Sequence, residues 1–341
     1  MTGTRYLILA EGFSEDPHYG KTMRGVLRYR RDDVVAILDS MRAPGATDEG
    51  VPVVQTLDDA MRLGPNTALV GVATQGGQFP PAWLELLRGC VERGLDVENG
   101  LHVFLADDPD LRELAAKHSV ELRDLRRPPA DLSTATGANL DVPATVVLTV
   151  GSDCAIGKMT VARELDREAR RRGLRSLFVP TGQTGIAIAG WGISVDAVVA
   201  DFIAGAAERL VLEGVQRGGE LLWVEGQGAI LHPVYSGVTL GLYHGSAPDL
   251  LLLCHESGRT EIEGVGGGPH LIPPLRELVE LHERLALPVK PARVAAIALN
   301  TRNLGEAEAR AEIAATEEET GLPADDPVRF GAGKLLDAFS V

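Results

Sequence analysis

Residues 144–172 restrict the fold of this chain more tightly than any other stretch. Ala144 to Val150 is a β-branched, apolar run that reads as a buried strand. Thr160 to Arg172 has helical periodicity, with Val161, Ala162, Leu165 and Ala169 on one side and Arg and Glu on the other. Between them lies Gly151-Ser152-Asp153-Cys154-Ala155-Ile156-Gly157-Lys158-Met159-Thr160. A strand, a glycine-bounded loop and a helix gather backbone N–H groups and a lysine around one point. The loop amides and the helix N-terminus already carry partial positive charge there, which suits a phosphate. The ten residues from Gly151 to Thr160 are therefore read as a cofactor cradle.

This cradle departs from the common pattern in two ways. Five residues separate Gly151 from Gly157 where the common form has four, so Ser152 occupies the usual first-glycine position. Met159 follows the lysine where Ser or Thr normally holds Mg²⁺. A thioether is a poor ligand for a hard cation. Thr160 does not replace the missing hydroxyl, because one helical step turns a side chain by about 100°. The loop indicates phosphate binding, while Met159 argues against Mg²⁺-dependent nucleotide hydrolysis.

With 341 residues the chain has room for two domains, each with its own core. Upstream of the loop, strands are expected at Tyr6–Ala10, Val34–Asp39, Val53–Val54, Ala68–Val72 and His102–Leu105. Helices are expected from Lys21, over Leu57–Leu63, over Pro81–Arg93 after a Gly76-Gly77 loop, and over Leu111–His118. This alternation predicts a parallel sheet with helices on both faces. The fold class is thus α/β, with an N-terminal Rossmann-like parallel-sheet domain over 1–127 and a C-terminal P-loop NTPase-like α/β domain over 144–341. Residues 128–143, rich in Pro, Ser, Thr, Gly and Asn, read as the linker. No Gly-x-Gly-x-x-Gly follows the first strand, so dinucleotide binding is not supported in the first domain.

The formal charge of −15 argues against nucleic acid as a partner. No apolar run reaches membrane-spanning length, and Met1 to Ala10 enters a strand without a signal-peptide pattern. Cys90, Cys154 and Cys254 lack paired or metal-like spacing. A cytoplasmic protein acting on small molecules, with no resident metal, is the expectation.

Ligands of open α/β sheets bind beyond the carboxyl ends of the strands. In the second domain those ends deliver Gln183 after Ser176–Val179, and Glu225, Gln227 and His232 after Leu221–Val224. Leu250–Cys254 delivers His255 and Arg259, and Val294–Leu299 delivers Asn300 and Arg302. Glu225, His232 and His255 are the candidates for proton transfer, since carboxylates and imidazoles suit that work. Gln183, Gln227, Arg259 and Arg302 are candidates for substrate binding, the arginines by bidentate pairing with a carboxylate.

Several segments together resemble a known bacterial family. They are Lys21–Arg30 with Asp32–Ala36, Gly94–Leu105, Gly151–Thr160, Thr181–Ile186, Glu225–Pro233 and Asp326–Arg329. The chain is similar over its whole length to the two-domain P-loop family of D-glutamate N-acetyltransferases (DgcN-like), formerly a domain of unknown function. The Gly-Lys-Met-Thr ending of the loop belongs to that resemblance. It implies an N-acetyltransferase that uses acetyl-CoA, with the loop anchoring the CoA phosphates and an acidic amino acid, D-glutamate first, as acceptor. It also implies a homodimer or higher homo-oligomer. Acetyl transfer to an amine needs no metal, so Met159 costs this chemistry nothing. Two alternatives stand beside it. One is an ATP- and Mg²⁺-dependent kinase or ligase of dethiobiotin synthetase type, and the other is a nucleotide-sensing regulatory protein.

Overall fold

The computed structural model describes residues 3–16, 19–73 and 83–339. The Gly76-Gly77 loop and the start of the helix expected at Pro81 lie outside these residues. The chain forms two compact units, one built from residues 1–127 and 183–197, the other from 128–182 and 198–341.

The first unit holds strands β1 (Tyr6–Leu9), β2 (Val34–Leu38), β3 (Thr47–Asp48), β4 (Val51–Val54), β5 (Thr67–Val70), β6 (Asp96–Asn99) and β7 (Leu122–Asp124). Their order is β3-β4-β2-β1-β5-β6-β7, and every pairing is parallel except β3 with β4. The central strand Tyr-Leu-Ile-Leu is buried at every position, as a strand covered on both faces must be. One side of the sheet packs Leu7, Leu9, Val70 and Val97 against Trp83 and Leu87 of the helix Trp83–Glu92. This is the expected Rossmann-like α/β sheet.

One strand lies elsewhere than hydropathy places it. Residues 102–105 are a bend running into a short 3-10 turn, and the strand is Asp96–Asn99. That strand carries polar residues whose partners are distant in sequence. Glu98 accepts from the Tyr6 hydroxyl at 3.0 Å and from Arg123 at 2.9 Å, and the Asn99 amide donates to Asp124 at 2.8 Å. A polar group that is satisfied inside the fold carries little burial cost, so the apolar pattern is not required there.

Residues 183–197 complete this unit. The Thr184 hydroxyl meets that of Thr22 at 2.9 Å, and Arg30 donates to the Ala187 carbonyl at 3.0 Å. Arg123 donates to the Gly190 carbonyl at 3.2 Å, and Arg126 pairs with Asp196.

The second unit holds β8 (Thr145–Gly151), β9 (Ser176–Val179), β10 (Leu221–Val224), β11 (Leu250–Glu256), β12 (Arg293–Asn300) and β13 (Ala324–Asp325). All pairings are parallel, in the order β13-β12-β11-β8-β10-β9. From β8 the chain passes to β9, returns to β10, and then crosses to β11 on the opposite side of β8. The strand order therefore reverses around β8, and its carboxyl end is the topological switch point where such sheets bind ligands. The helix expected around Ala197–Leu212 is Ile203–Gln216, preceded by two 3-10 turns. Residues 128–143 run in turns and are fastened within this unit. Glu208 accepts from the Thr136 N–H at 2.9 Å, and Asn139 donates to the Gly245 carbonyl at 2.8 Å.

Candidate functional site

The loop leaves β8 at Gly151 and stays tied to the neighbouring strand, since the Ser152 N–H donates to the Cys254 carbonyl at 3.1 Å. It turns through two residues of positive φ, Ala155 at 56° and Gly157 at 113°. Glycine adopts such a backbone at no steric cost, whereas alanine is strained there. The helix Lys158–Arg171 begins directly after Gly157, and no side chain caps its start. Its first N–H groups and partial positive charge thus face the loop. The Lys158 ammonium folds back over the loop to the Asp153 carbonyl at 2.7 Å. Burial pulls its pKa below the ordinary lysine value, and Cys154, Cys254, Asp153 and Glu225 act in the opposite direction. An anion seated here meets a desolvated cation, which interacts more strongly than a hydrated one.

Asp153 is the hub of the loop and is fully buried. Its Oδ1 accepts from the Cys154 N–H at 2.6 Å, and its Oδ2 accepts from Arg259 at 2.9 Å and from the Glu263 N–H at 3.0 Å. Arg259 also pairs with Glu256 at 2.5 Å and Glu263 at 3.2 Å, so three carboxylates of the protein surround it. Arg302 pairs with the other oxygen of Glu256 at 2.7 Å, with its side chain 61% exposed. Of the two proposed clamps, Arg259 braces the loop while Arg302 reaches outward. Asn300 donates to the Ile156 carbonyl at 3.3 Å, which attaches the loop to β12 as well.

His255 stands at the end of β11, beside β8, and its Nδ1 lies 2.9 Å from the Ser152 hydroxyl, both residues being buried. Burial, and then the Arg259 guanidinium, hold the His255 pKa below the ordinary imidazole value of 6.5. The ring is therefore neutral near pH 7, as a general base must be. It lines a cleft of about 350 Å³ with Arg259, Thr260, Glu312, Thr316 and Glu319.

Glu225 closes β10 and accepts the N–H groups of Thr181 and Gly182 through Oε2, at 3.0 and 3.2 Å. Gly226 follows because a Cβ there would run into the Thr149 carbonyl and touch Lys158. Gln227 donates to the Thr181 hydroxyl at 3.2 Å. His232 is buried, its Nδ1 accepting from the Val234 N–H at 3.2 Å and its Nε2 facing the Glu263 carbonyl at 3.3 Å.

The second unit thus brings together the whole loop, Glu225, Gln227, His232, His255, Arg259 and Arg302. Gln183 belongs to the first unit. Three features were invisible in the linear pattern. They are the Ser152–His255 pair, the bracing role of Glu263, and the meeting of Asp153, Cys154 and His232, whose donor atoms lie within 4.8 Å of one another. Only the lone polar residues themselves signalled them, because their partners stand far away along the chain.

Comparison with known proteins agrees with the folds of the two units. Residues 133–336 match DUF1611, a domain of unknown function described as a P-loop domain, and residues 39–128 match DUF1611_N, described as a Rossmann-like domain. The chain is 38% identical over 341 residues to a D-glutamate N-acetyltransferase of Tritonibacter scottomollicae, covering 100% of this chain and 99% of the relative. It is 34% identical over 279 residues to a D-glutamate N-acetyltransferase of a Pseudoalteromonas species, covering 82% of each. A crystal structure of a DUF1611 family protein from Anabaena variabilis superposes with a TM-score of 0.90 at 39% identity, covering 98% of this chain and 99% of that one.

Proposed function

The chain belongs to the DUF1611 family, and we propose that this N-acetyltransferase moves the acetyl group of acetyl-CoA to the amine of D-glutamate. The observation that carries the reading is the Ser152–His255 pair. It joins a neutral imidazole directly to the phosphate loop, so that one structural unit offers both an anion anchor and a base. Lys158 and the first amides of its helix would hold the CoA phosphates. With Ser152 accepting the Nδ1 proton, the Nε2 lone pair of His255 is the base. The bound ammonium first loses one proton to solvent; the free amine attacks the thioester carbonyl, His255 takes its second proton, and the tetrahedral adduct expels the CoA thiolate. That thiolate then recovers the proton as a free thiol. The cleft beside His255 is the acceptor site, where Glu319 and Glu312 suit an ammonium and the exposed Arg302, which shares Glu256 with the cleft's Arg259, suits a carboxylate. The enzyme would work in the cytoplasm as a homodimer or larger homo-oligomer, with small molecules as its partners.

Two measurements test this. Mixing the protein with acetyl-CoA and D-glutamate should release free thiol, with D-glutamate preferred over its mirror image. Titration calorimetry with acetyl-CoA and with ATP–Mg²⁺, side by side, should give heat for the first. Tight metal-dependent ATP binding with no acetyl-CoA signal would overturn the proposal in favour of a kinase or ligase.

A further inference from the structure

Asp153, Cys154 and His232 place a carboxylate oxygen, a thiol sulfur and an imidazole nitrogen within 4.8 Å of one another. Asp153 and His232 are buried and Cys154 is half-buried, so the group lies at the edge of the phosphate loop. We propose that these three side chains form a binding site for a borderline divalent cation, Zn²⁺ foremost, with a fourth position left open to an external ligand. The donor set selects the class of ion. A thiolate and an imidazole suit zinc and poorly suit Mg²⁺, which demands oxygen. Three protein ligands with an open fourth position is the usual arrangement of zinc sites that meet a substrate. Bond lengths to zinc of about 2.0–2.3 Å put ligands roughly 3.3–3.8 Å apart, so closure needs about 1 Å of side-chain adjustment.

The surroundings are those of a held ligand set. The peptide at Glu263 braces two of the three donors, with its N–H on Asp153 at 3.0 Å and its carbonyl 3.3 Å from His232 Nε2. A backbone carbonyl on the far ring nitrogen is one of the usual supports for a metal-binding histidine. It keeps the proton on Nε2 and the lone pair on Nδ1. The ion takes that lone pair in place of the 3.2 Å contact with the Val234 N–H. Arg259 and the Cys154 N–H likewise support the Asp153 carboxylate. Lys158 and Arg259 are the opposing cations, and Asp153, Glu256 and Glu263 offset them before the thiol ionises. The other two thiols are poor competitors, since burial pushes both Cys90 and Cys254 up to about 12.

The site does not depend on the acetyltransferase reading, so its test uses Zn²⁺ alone. The reduced full-length protein, stripped with a chelator, is dialysed against Zn²⁺ and assayed for bound metal. About one equivalent per chain is expected, together with a sulfur-to-metal charge-transfer band when Co²⁺ is used instead. Cys154→Ala and His232→Gln should each weaken uptake at least tenfold, while Cys90→Ala leaves it intact. Circular dichroism on each variant separates loss of the site from loss of the fold. The proposal is overturned by no uptake in the intact protein, or by uptake unchanged in folded Cys154→Ala or His232→Gln.

Discussion

Replacing Lys158 by alanine removes a buried ammonium that, among the described residues, donates to the Asp153 carbonyl. That charge-assisted bond contributes about 1.5–3 kcal/mol, and relief of the ammonium's desolvation offsets its loss. The melting temperature should therefore barely move. A charge-assisted bond to phosphate is worth about 1.5–3 kcal/mol, so acetyl-CoA affinity should fall roughly 10- to 100-fold in calorimetry. Unchanged affinity would remove Lys158 from the anchor. The Ser152–His255 pair makes a different prediction. Because the His255 pKa lies below 6.5, the acidic limb of kcat/KM should fall below the ordinary imidazole range. His255→Ala should cut kcat by about 100-fold or more. Ser152→Ala should lower kcat by about fivefold, the worth of one hydrogen bond, and shift that limb while KM stays near its wild-type value. A limb that does not move would show that Ser152 does not set the ring. At this scale the loop was legible because Gly151 to Thr160 are contiguous. The serine and its histidine are 103 residues apart, and no spacing rule joins them.

Among the elements, β8 to β12 were legible because they are buried and read as largely apolar runs, whereas the two-residue β13, Ala324–Asp325, carries no such run. Strand β6 was not legible, because Glu98 and Asn99 are satisfied by residues of β1 and β7. The helix Leu275–Arg284 hides a comparable polar group. His282 is 1% exposed, its Nδ1 donates to the Leu278 carbonyl at 2.8 Å, and its Nε2 has no partner among the described residues. Burial lowers its pKa from 6.5 to about 4. The unfolded chain takes up this proton below pH 6.5, while the folded chain refuses it until about pH 4. Stability is thus held above 6.5 and lost as pH falls through that window, by at most roughly 3 kcal/mol. His282→Leu should flatten the fall in denaturation free energy between pH 7 and pH 4. An unaltered slope would place the acid sensitivity elsewhere.

On the scale of the whole molecule, a charge of −15 faces the proposed cofactor, acetyl-CoA, which is itself an anion. Long-range repulsion should slow its approach, while the buried Lys158 and the loop amides attract it only at close range. Raising ionic strength to about 0.15 M shortens the screening length to about 8 Å and lifts the repulsion first. The association rate of acetyl-CoA, followed by stopped flow, should therefore rise or hold with added inert salt. A steep fall would mean that an exposed basic surface steers it. None of the helices among the described residues is long and apolar enough to cross a membrane.

The first unit also has a schedule. Residues 1–127 emerge from the ribosome well before residues 183–197, which supply acceptors for Arg30 and Arg123 and the carboxylate paired with Arg126. About seventy residues of intervening and completing chain must be synthesised first. At about 5–20 residues per second that is a wait of roughly 4–14 s. Until then Arg30, Arg123 and Arg126 are without these three partners. The packing of the N-terminal half is therefore completed only by a segment encoded inside its neighbour.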